Sequence, residues 1–275
     1  MKEMRLFSSA YALLKEFLMV MRTAELYARC YCSTLFRPKE FHYVIGGNDF
    51  LVRKNASDML TLREVWSHHV YLDPPANGIV VDIGANIGAF TVLAAQRSKR
   101  VIAFEPLQET ARILKQNTRN LRNVSIFPFA IAGSEGTRTL SFGRHKPGKA
   151  SIVLRRGPEQ ENIRTIALQQ VFDLCGVSRI DLLKIDVEGA EYEILLSSPP
   201  EVLRRINAIT MEFHDFLPPQ HHSTLVHLLQ KEGFAVTVLP FHYWLTRVGY
   251  LHAARAGTCP RDTPTRTPPD RERQK

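Results

Sequence analysis

The sequence predicts an α/β protein built on a doubly wound, mostly parallel β-sheet. Apolar strand-like runs alternate with helical stretches, and a glycine turn joins one strand to the helix after it in "DIGANIG". A short connection joins the last two predicted strands. It requires one antiparallel strand, because a parallel crossover needs about a dozen residues or more. With 275 residues, 44% of them hydrophobic, the chain can bury one substantial core.

The predicted elements begin with a helix and a β-hairpin. Apolar residues recur at helical spacing over residues 6–18, and two β-type runs flank Gly46-Gly47-Asn48-Asp49. A short helix through Leu60 to Tyr71 follows. Strands are then expected, in order, in GIVVDIG, RVIAFEP, VSIFPFAIAG, TRTLSFG, ASIVLRR, IRTIAL, IDLLKIDV, NAITMEFHD, FAVTVL and YWLTRVGYLHAA. Further helices are expected in AFTVLAAQ, ETARILKQNTRNL, the stretch from Ala190 and HSTLVHLLQK.

The net charge of +9 is concentrated in two stretches. Residues 133–165 carry seven basic and three acidic side chains, and residues 255–275 carry six and three. The rest of the chain is nearly neutral, so no specific nucleic-acid partner is expected. The first stretch is either a solvated loop or part of the site for an anionic acceptor. The second, rich in Pro, Thr and Arg, is predicted to be a disordered basic tail.

The four cysteines lie in dissimilar contexts, with no CxxC pair and no histidine at zinc-finger spacing. A reducing, cytoplasmic location is therefore expected. Lys15 and Glu16 interrupt the apolar N-terminal stretch, which favours neither a signal peptide nor a transmembrane span. Its helical stripe can pack on the domain, on a second copy of the chain or on a membrane surface. We predict an N-terminal helical segment over residues 1–40, one main domain over 41–253 and the tail over 254–275.

The end of the first sheet strand is the expected ligand site, since ligands bind open α/β sheets beyond the carboxyl ends of the strands, where strand order reverses. Gly84 and Gly88 let the backbone approach a ligand closely. Glu105 lies 23 residues beyond Asp82, at the end of the next strand, where a carboxylate can accept both ribose hydroxyl protons. These features favour a nucleoside-containing cofactor over a strand–turn–helix with incidental acids.

The glycine spacing bears on which cofactor binds. A dinucleotide-binding turn needs G-x-G-x-x-G/A, and Asn86 stands where the second glycine would admit the pyrophosphate. Asp82 at the mouth of the turn would repel a phosphate, whereas it suits the ammonium of a cofactor that carries an amino acid. S-adenosylmethionine is therefore favoured over NAD, and an NAD-dependent oxidoreductase is the weaker alternative.

Four segments together closely resemble the FkbM-type S-adenosylmethionine-dependent methyltransferases: VVDIGANIGAFTVLAA, RVIAFEP, VSIFPFAIAG and IDLLKIDVEGAEYEILL. The resemblance covers about residues 41–253. It implies a Rossmann-like, class I methyltransferase fold with a seven-stranded sheet. It also implies methyl transfer, usually to a hydroxyl oxygen of a sugar, lipid or polyketide-like secondary metabolite.

The resemblance also implies roles for individual residues in cofactor binding. The methionine end of the cofactor would be lined by Asp82, Gly84, Ala85, Asn86 and Gly88. Glu105 would bind the ribose, and Pro106 would turn the chain away. Phe129 and Ala130 would border the adenine through apolar and backbone contacts, because Pro128-Phe129-Ala130 lacks the acid or amide that family members often have there.

Two acids at the end of "IDLLKIDVEG" are candidates for the chemistry. An alcohol nucleophile must lose a proton, ideally to a carboxylate or imidazole within hydrogen-bond reach. Asp186 ends an apolar strand beside the glycine turn, and packing explains an acid there poorly. Gly189 predicts a turn after the strand, which places Glu188 near a helix start, where it is either a catalyst or a partner of the helix dipole. Lys184 shares a strand face with Asp186, and a salt bridge explains it simply.

The next strand ends in "MEFHD" and offers a second candidate base. His214 has an ordinary pKa near neutrality and can serve as a general base, although such a histidine is more often an ordinary polar residue. With Asp186, Glu188 and Glu212 it could also hold a divalent metal ion, but no fixed ligand pattern favours one.

Two further functions compete with hydroxyl methylation. "LDPPANG" at 72–78 resembles the motif of amine-methylating nucleic-acid enzymes, but it precedes the glycine turn and has Ala76 where an aromatic should stack. We interpret it as a proline-rich linker. A binding or scaffold protein that has lost catalysis is the other alternative, and the intact cofactor acids disfavour it.

Overall fold

The computed structural model describes residues 38–54, 56–143, 146–155, 157–216, 219–239 and 246–257. The predicted N-terminal helix and almost all of the predicted tail lie outside these ranges. Within them, no helix has both the length and the apolar character needed to cross a membrane.

The described chain begins with the predicted hairpin. Strands β1 (Glu40–Ile45) and β2 (Asn48–Arg53) pair antiparallel, with Ile45 opposite Asn48, so two glycines form the turn. Helix α1 (Ala56–Trp66) follows and ends five residues before the predicted Tyr71. His69 has a φ of 49°, a left-handed conformation that a helix cannot contain. Tyr71 therefore lies outside the helix, in the connection between α1 and the next strand.

The remaining elements alternate as the sequence predicts. In chain order they are β3 (Ile79–Ile83), α2 (Ala89–Ala95), β4 (Arg100–Phe104), α3 (Gln108–Thr118), β5 (Val124–Phe127), β6 (Ala130–Ala132), β7 (Gly136–Gly143), β8 (Lys146–Ser151), β9 (Glu159–Ala167), α4 (Leu168–Cys175), β10 (Leu182–Ile185), α5 (Glu191–Leu196), α6 (Pro200–Leu203), β11 (Ala208–His214), α7 (His222–Lys231), β12 (Phe234–Leu239) and β13 (Val248–Arg255).

Seven strands form the main sheet in the order β12-β13-β11-β10-β3-β4-β5. Strand β13 is antiparallel to both neighbours, and the other strand pairs are parallel. The predicted doubly wound sheet with one antiparallel strand is confirmed. Strand order reverses between β3 and β10, because the chain leaves β3 toward β4 on one side and returns on the other. This edge is where a ligand is expected.

Both faces of the main sheet are covered, which explains why its strands are continuously apolar. Val81 and Ile83 of β3 pack into one core cluster with Phe172 of α4, whereas Val80 packs into another with Phe90 of α2. The alternation along β3 thus supplies both cores.

The insertion after β5 departs from prediction. VSIFPFAIAG was expected to form one strand, but the chain leaves the main sheet at Pro128, which has no N–H to donate to a strand ladder. Strand β6 then joins a second sheet in the order β6-β9-β7-β8. Strand β8 ends at Ser151 and so lies earlier than the strand expected in ASIVLRR. Helix α4 was not predicted, and β13 continues two residues beyond the predicted domain end at 253.

Gly84 makes the closest backbone approach at the strand-order reversal. Its φ is +76°, and a Cβ placed on it would lie 1.9 Å from the carbonyl oxygen of Asp186. The turn after β3 can therefore lie against the end of β10 only if position 84 has no side chain.

Replacing Gly84 by alanine should destabilise the protein by about 3 kcal/mol or more, because backbone overlap adds to the cost of a left-handed alanine. Gly47→Ala is a matched control: Gly47 has the same φ of +76° but no atom within 4 Å of its Cβ position. It should cost only about 1–2 kcal/mol. Urea denaturation measures both values, and equal losses would show that the close approach at Gly84 is unimportant.

Candidate active site

A cleft lies at the carboxyl ends of β3, β4 and β10 and is walled on one side by the second sheet. It encloses about 640 Å³ when its open mouth is included, which suits a cofactor-sized molecule. Eight residues with predicted roles line it: Gly84, Asn86, Glu105, Pro106, Phe129, Ala130, Asp186 and Glu188. Four others do not: Asp82, Ala85, Gly88 and His214 lie behind its surface.

The glycine turn presents backbone to the cleft at Gly84 and Asn86. Asn86 has a φ of 51°, and its N–H donates to Glu105 Oε2 at 2.9 Å. Ala85 is buried against Leu114, and Gly88 caps the start of α2. The predicted turn therefore contacts the cleft through two of its residues, while the other two hold it in place.

Arg53 supports this turn from the hairpin. Its guanidinium is buried, makes hydrogen bonds to both carboxylate oxygens of Asp58 and donates to Thr110. It also approaches Asn86 Oδ1 at 3.4 Å. Because the charge of Arg53 is paired and hydrogen-bonded, it can remain buried and fix the asparagine side chain.

Glu105 lies at the predicted position for a ribose-binding acid. Oε1 accepts from Leu107 N–H at 3.0 Å and Oε2 from Asn86 N–H at 2.9 Å, so each oxygen keeps a lone pair for a ligand hydroxyl. Burial raises the pKa of Glu105 to about 7, although these two backbone bonds oppose the rise. The carboxylate is therefore only partly ionised at neutral pH.

The wall beyond Glu105 is apolar. Phe129, Ala130, Ala150 and Ile152 line this part of the cleft, and Arg164 covers the Phe129 ring at 4.9 Å. The predicted adenine segment therefore lies in an apolar part of the lining, and its contact with adenine stays a prediction. The insertion, singled out in the sequence for its charge, thus also supplies apolar lining.

Asp82 does not occupy its predicted position facing a ligand. It is 0% exposed, accepts a hydrogen bond from Thr91 at 2.6 Å and pairs with Lys184 Nζ at 3.1 Å. Lys184 also donates to the Gly84 carbonyl at 2.7 Å. The structure therefore corrects the expectation that Asp82 contacts an ammonium directly. Its charge is used inside the protein, where it compensates a buried lysine.

Asp186 lines the cleft and stays charged. Oδ2 accepts from the Tyr71 hydroxyl at 3.0 Å and lies 3.8 Å from Lys184 Nζ. Burial favours the neutral acid, but the charges of Lys184 and His214 and the Tyr71 hydrogen bond outweigh it and lower the pKa of Asp186. Burial and the Asp186 charge raise the pKa of Tyr71 well above its usual value, so Tyr71 stays a donor.

Glu212 faces Asp186 from the neighbouring strand, and its pKa is shifted in the opposite direction. Burial and the Asp186 charge raise the pKa of Glu212 well above its usual value, against the opposing effect of His214. The charge of Asp186 thus makes a second negative charge on Glu212 unfavourable, and the pKa values of the two carboxyl groups are pushed apart.

His214 does not fit the predicted role of general base. It is 2% exposed, and Nδ1 donates to Glu191 Oε1 at 2.6 Å. Burial alone would lower the pKa of His214, but Glu191, with help from Glu212 and Glu188, raises it to about 10. The imidazole therefore already carries a second proton at neutral pH and cannot accept another.

Glu188 belongs to the turn after β10, as Gly189 predicts. Its φ is 52°, that of Gly189 is 110°, and α5 starts only at Glu191. Its side chain nevertheless lines the cleft, and its carbonyl accepts from the buried Ser151 hydroxyl at 2.8 Å. Glu188 is thus outside the helix and lines the cleft.

Comparison with known proteins agrees with this arrangement. The family described as "Methyltransferase FkbM domain" matches residues 82–236, which run from the acid of the glycine turn into β12. The chain belongs to the FkbM methyltransferase family.

Curated relatives extend this assignment. AMB antimetabolite synthetase AmbE of Pseudomonas aeruginosa is 29% identical over 218 residues, which are 64% of this chain but only 10% of that protein. Methyltransferase sdnD of Sordaria araneosa is 27% identical over 64% of this chain and 81% of its own length. The 31-O-demethyl-FK506 methyltransferase FkbM of Streptomyces tacrolimicus is 29% identical over 71% and 85%. The protein is a methyltransferase.

Several residues of this methyltransferase site have no local sequence signal. Tyr71 and Arg53 lie before the matched family segment and reach the site from 115 and 33 residues away. Glu191 looks like an ordinary first-turn acid of a helix. Only Lys184 could be expected at its position, from strand alternation, and its salt bridge to Asp186 is confirmed.

The pKa of Glu105 predicts a pH-dependent contribution to stability. The group titrates at 4.5 ordinarily and at about 7 in the folded protein. The folded state holds the proton more tightly, so the free energy of unfolding falls by about 2–3 kcal/mol between pH 5 and 8 because of this group. Glu105→Gln should remove that part of the pH dependence in denaturation curves. A wild-type-minus-variant difference that stays constant from pH 5 to 8 would contradict the shifted pKa.

Proposed function

We propose that the protein transfers the methyl group of S-adenosylmethionine to a hydroxyl oxygen, with Asp186 as general base. The observation that carries this proposal is that Asp186 and Glu105 line the same cleft, from the ends of β10 and β4 on either side of β3. The relative from Streptomyces tacrolimicus, a 31-O-demethyl-FK506 methyltransferase, supports oxygen as the acceptor atom.

The lining of the cleft suits the three parts of this cofactor. Glu105 can accept from the ribose hydroxyls, and the apolar wall of Phe129, Ala130 and Ile152 suits the adenine. The backbone of Gly84 and Asn86 suits the methionine end, with Asp82 acting only from behind. A pyrophosphate would have to lie against Asn86 and near the charged Asp186, so NAD fits less well.

Bound S-adenosylmethionine would supply the methyl group to the acceptor oxygen and would keep the electron pair of the sulfur–carbon bond on its sulfur. The acceptor oxygen must lose its proton as it attacks. Asp186 is ionised, borders the cleft and is held by Tyr71 and Lys184, so it can take that proton. Positioning by these contacts supplies much of the catalysis, because the reacting atoms must lie in line.

Other bases are less suitable. His214 already carries its second proton, and the pKa of Lys184 is raised because Asp82 and Asp186 outweigh its burial. Glu188 lines the same cleft and can complement the positive sulfur without being the base. We therefore assign proton removal to Asp186 and electrostatic support to Glu188.

The acceptor is a small molecule or glycan whose reacting end is uncharged. Asp186 and Glu188 make that end of the cleft acidic, so an anionic group would be repelled there. In the insertion, Arg138 pairs with Glu193 and Arg164 with Glu135. Because the reacting end of the cleft is acidic, any phosphate or carboxylate of the acceptor would have to bind away from the reacting hydroxyl.

Asp186→Asn should leave S-adenosylmethionine affinity within a few-fold of wild type but lower turnover about 10²- to 10⁴-fold, because the base is lost and the shape is kept. Calorimetry measures affinity, and mass spectrometry of a hydroxylated acceptor panel with labelled cofactor measures turnover. Asp173→Asn, on the exposed face of α4, is the matched control and should change neither. Unchanged turnover in Asp186→Asn would remove Asp186 from the mechanism.

Tyr71→Phe should move the acidic limb of the pH profile of kcat/KM upward by about one pH unit. Losing the donor to Oδ2 destabilises the ionised form of Asp186 and so raises its pKa. Tyr43→Phe on the hairpin is the control for loss of a hydroxyl. If the Tyr71 variant loses activity equally at all pH values, the hydroxyl does not act by tuning Asp186.

A further inference from the structure

A potential cation site lies beside the proposed base. Asp186 follows the end of β10, and Glu212 and His214 lie on the adjacent strand β11. One carboxylate oxygen from each acid and one ring nitrogen of His214 lie within 4.8 Å of one another. Three potential ligands thus converge at the carboxyl edge of the sheet, at the margin of the cleft.

The histidine is held as a metal-binding histidine usually is. Its side chain is buried, and Nδ1 bonds to Glu191, whose own carboxylate is fully buried. Nε2 faces the cluster, 3.7 Å from Glu188 Oε2 and 4.0 Å from Glu212 Oε2, both longer than a hydrogen bond. An outer carboxylate that orients the ring through the nitrogen opposite the ligating one is typical of metal sites.

The charged groups around the cluster favour binding of a cation. Asp186, Glu188 and Glu212 converge here, while Lys184 makes its shorter contacts with Asp82 and the Gly84 carbonyl. Tyr71 and Lys184 both approach Oδ2 of Asp186, and the other side of its carboxylate lies toward Glu212, with which it also shares a hydrogen bond. Acidic groups crowded in this way are stabilised by a positive ion at their centre.

From this geometry we infer that Asp186, Glu212 and His214 bind one divalent transition-metal ion of the Mn²⁺ or Zn²⁺ type. Two carboxylates and one imidazole suit these ions better than Mg²⁺ or Ca²⁺, which prefer oxygen ligands alone. Binding requires a neutral imidazole and ionised carboxylates, so any proton held by these three ligands would be released to solvent as the ion binds. Binding of the ion does not depend on the proposed function, but the role of the ion does: the ion would make the proton of an acceptor hydroxyl easier to remove.

A second group of potential ligands provides an internal control. Asp215, His221 and His222 also lie within ligand distance of one another. However, Asp215 accepts from Tyr192 and from His222, and Nδ1 of His221 accepts the N–H of Ser223 at the start of α7. These contacts explain the group as a helix cap and a buried hydrogen-bond network.

The test is titration of the chelator-stripped full chain with Mn²⁺, followed by electron paramagnetic resonance. We expect one ion per chain with nitrogen hyperfine coupling, and displacement by stoichiometric Zn²⁺. Glu212→Gln should weaken binding at least 10-fold, Glu191→Gln should weaken it about 10- to 100-fold by freeing the ring, and His222→Gln should leave it unchanged.

Absence of Mn²⁺ and Zn²⁺ binding, or a loss of binding in His222→Gln rather than Glu212→Gln, would overturn the inference. Calorimetry of the same stripped protein with S-adenosylhomocysteine keeps the two proposals distinct. Retained binding of that compound without metal binding would refute only the cation site.

Discussion

The buried ammonium of Lys184 is the interaction on which the site depends. It joins the Gly84 carbonyl, the Asp82 carboxylate and the Asp186 side chain, and so ties the turn after β3 to the end of β10. A lysine that is 3% exposed is tolerated only because these groups compensate its charge. The close approach at Gly84 makes the arrangement possible, since any side chain there would separate the two strand ends. The place where strand order reverses is thus occupied by a specific polar cluster and is not a simple gap.

This cluster gives chemically similar acids different properties. Asp82 is fully enclosed and serves structure, whereas Asp186 borders the cleft and is kept ionised by Lys184 and Tyr71. Burial and the charge of Asp186 raise the pKa of Glu212, one strand further, and burial raises the pKa of Glu105 to about 7. Environment, more than residue type, therefore separates the structural acid, the proposed base and the proposed ribose ligand.

Much of the fold and of the candidate site could be predicted because the sequence signals for them are local. The strand ends at Asp82, Glu105 and Asp186 follow from apolar runs that stop, and the parallel sheet brings those ends together. The direction of the side chains could not be predicted. Asp82 points into the protein because it accepts a hydrogen bond from Thr91 and pairs with Lys184, and His214 points toward Glu191. Arg53 and Tyr71 reach the site through tertiary contacts across the chain, which no spacing reveals. The predicted roles of the N-terminal helix and the basic tail stay predictions, since both fall largely outside the described residues.

The central claim is that this cleft binds a sulfur-containing adenosyl cofactor by its ribose and methionine ends. Calorimetric titration at pH 8, where Glu105 is mostly ionised, tests it most directly with S-adenosylhomocysteine and NAD side by side. The account predicts one molecule of S-adenosylhomocysteine per chain, affinity that falls in Glu105→Gln, and no detectable NAD binding. Binding of NAD without S-adenosylhomocysteine would contradict it.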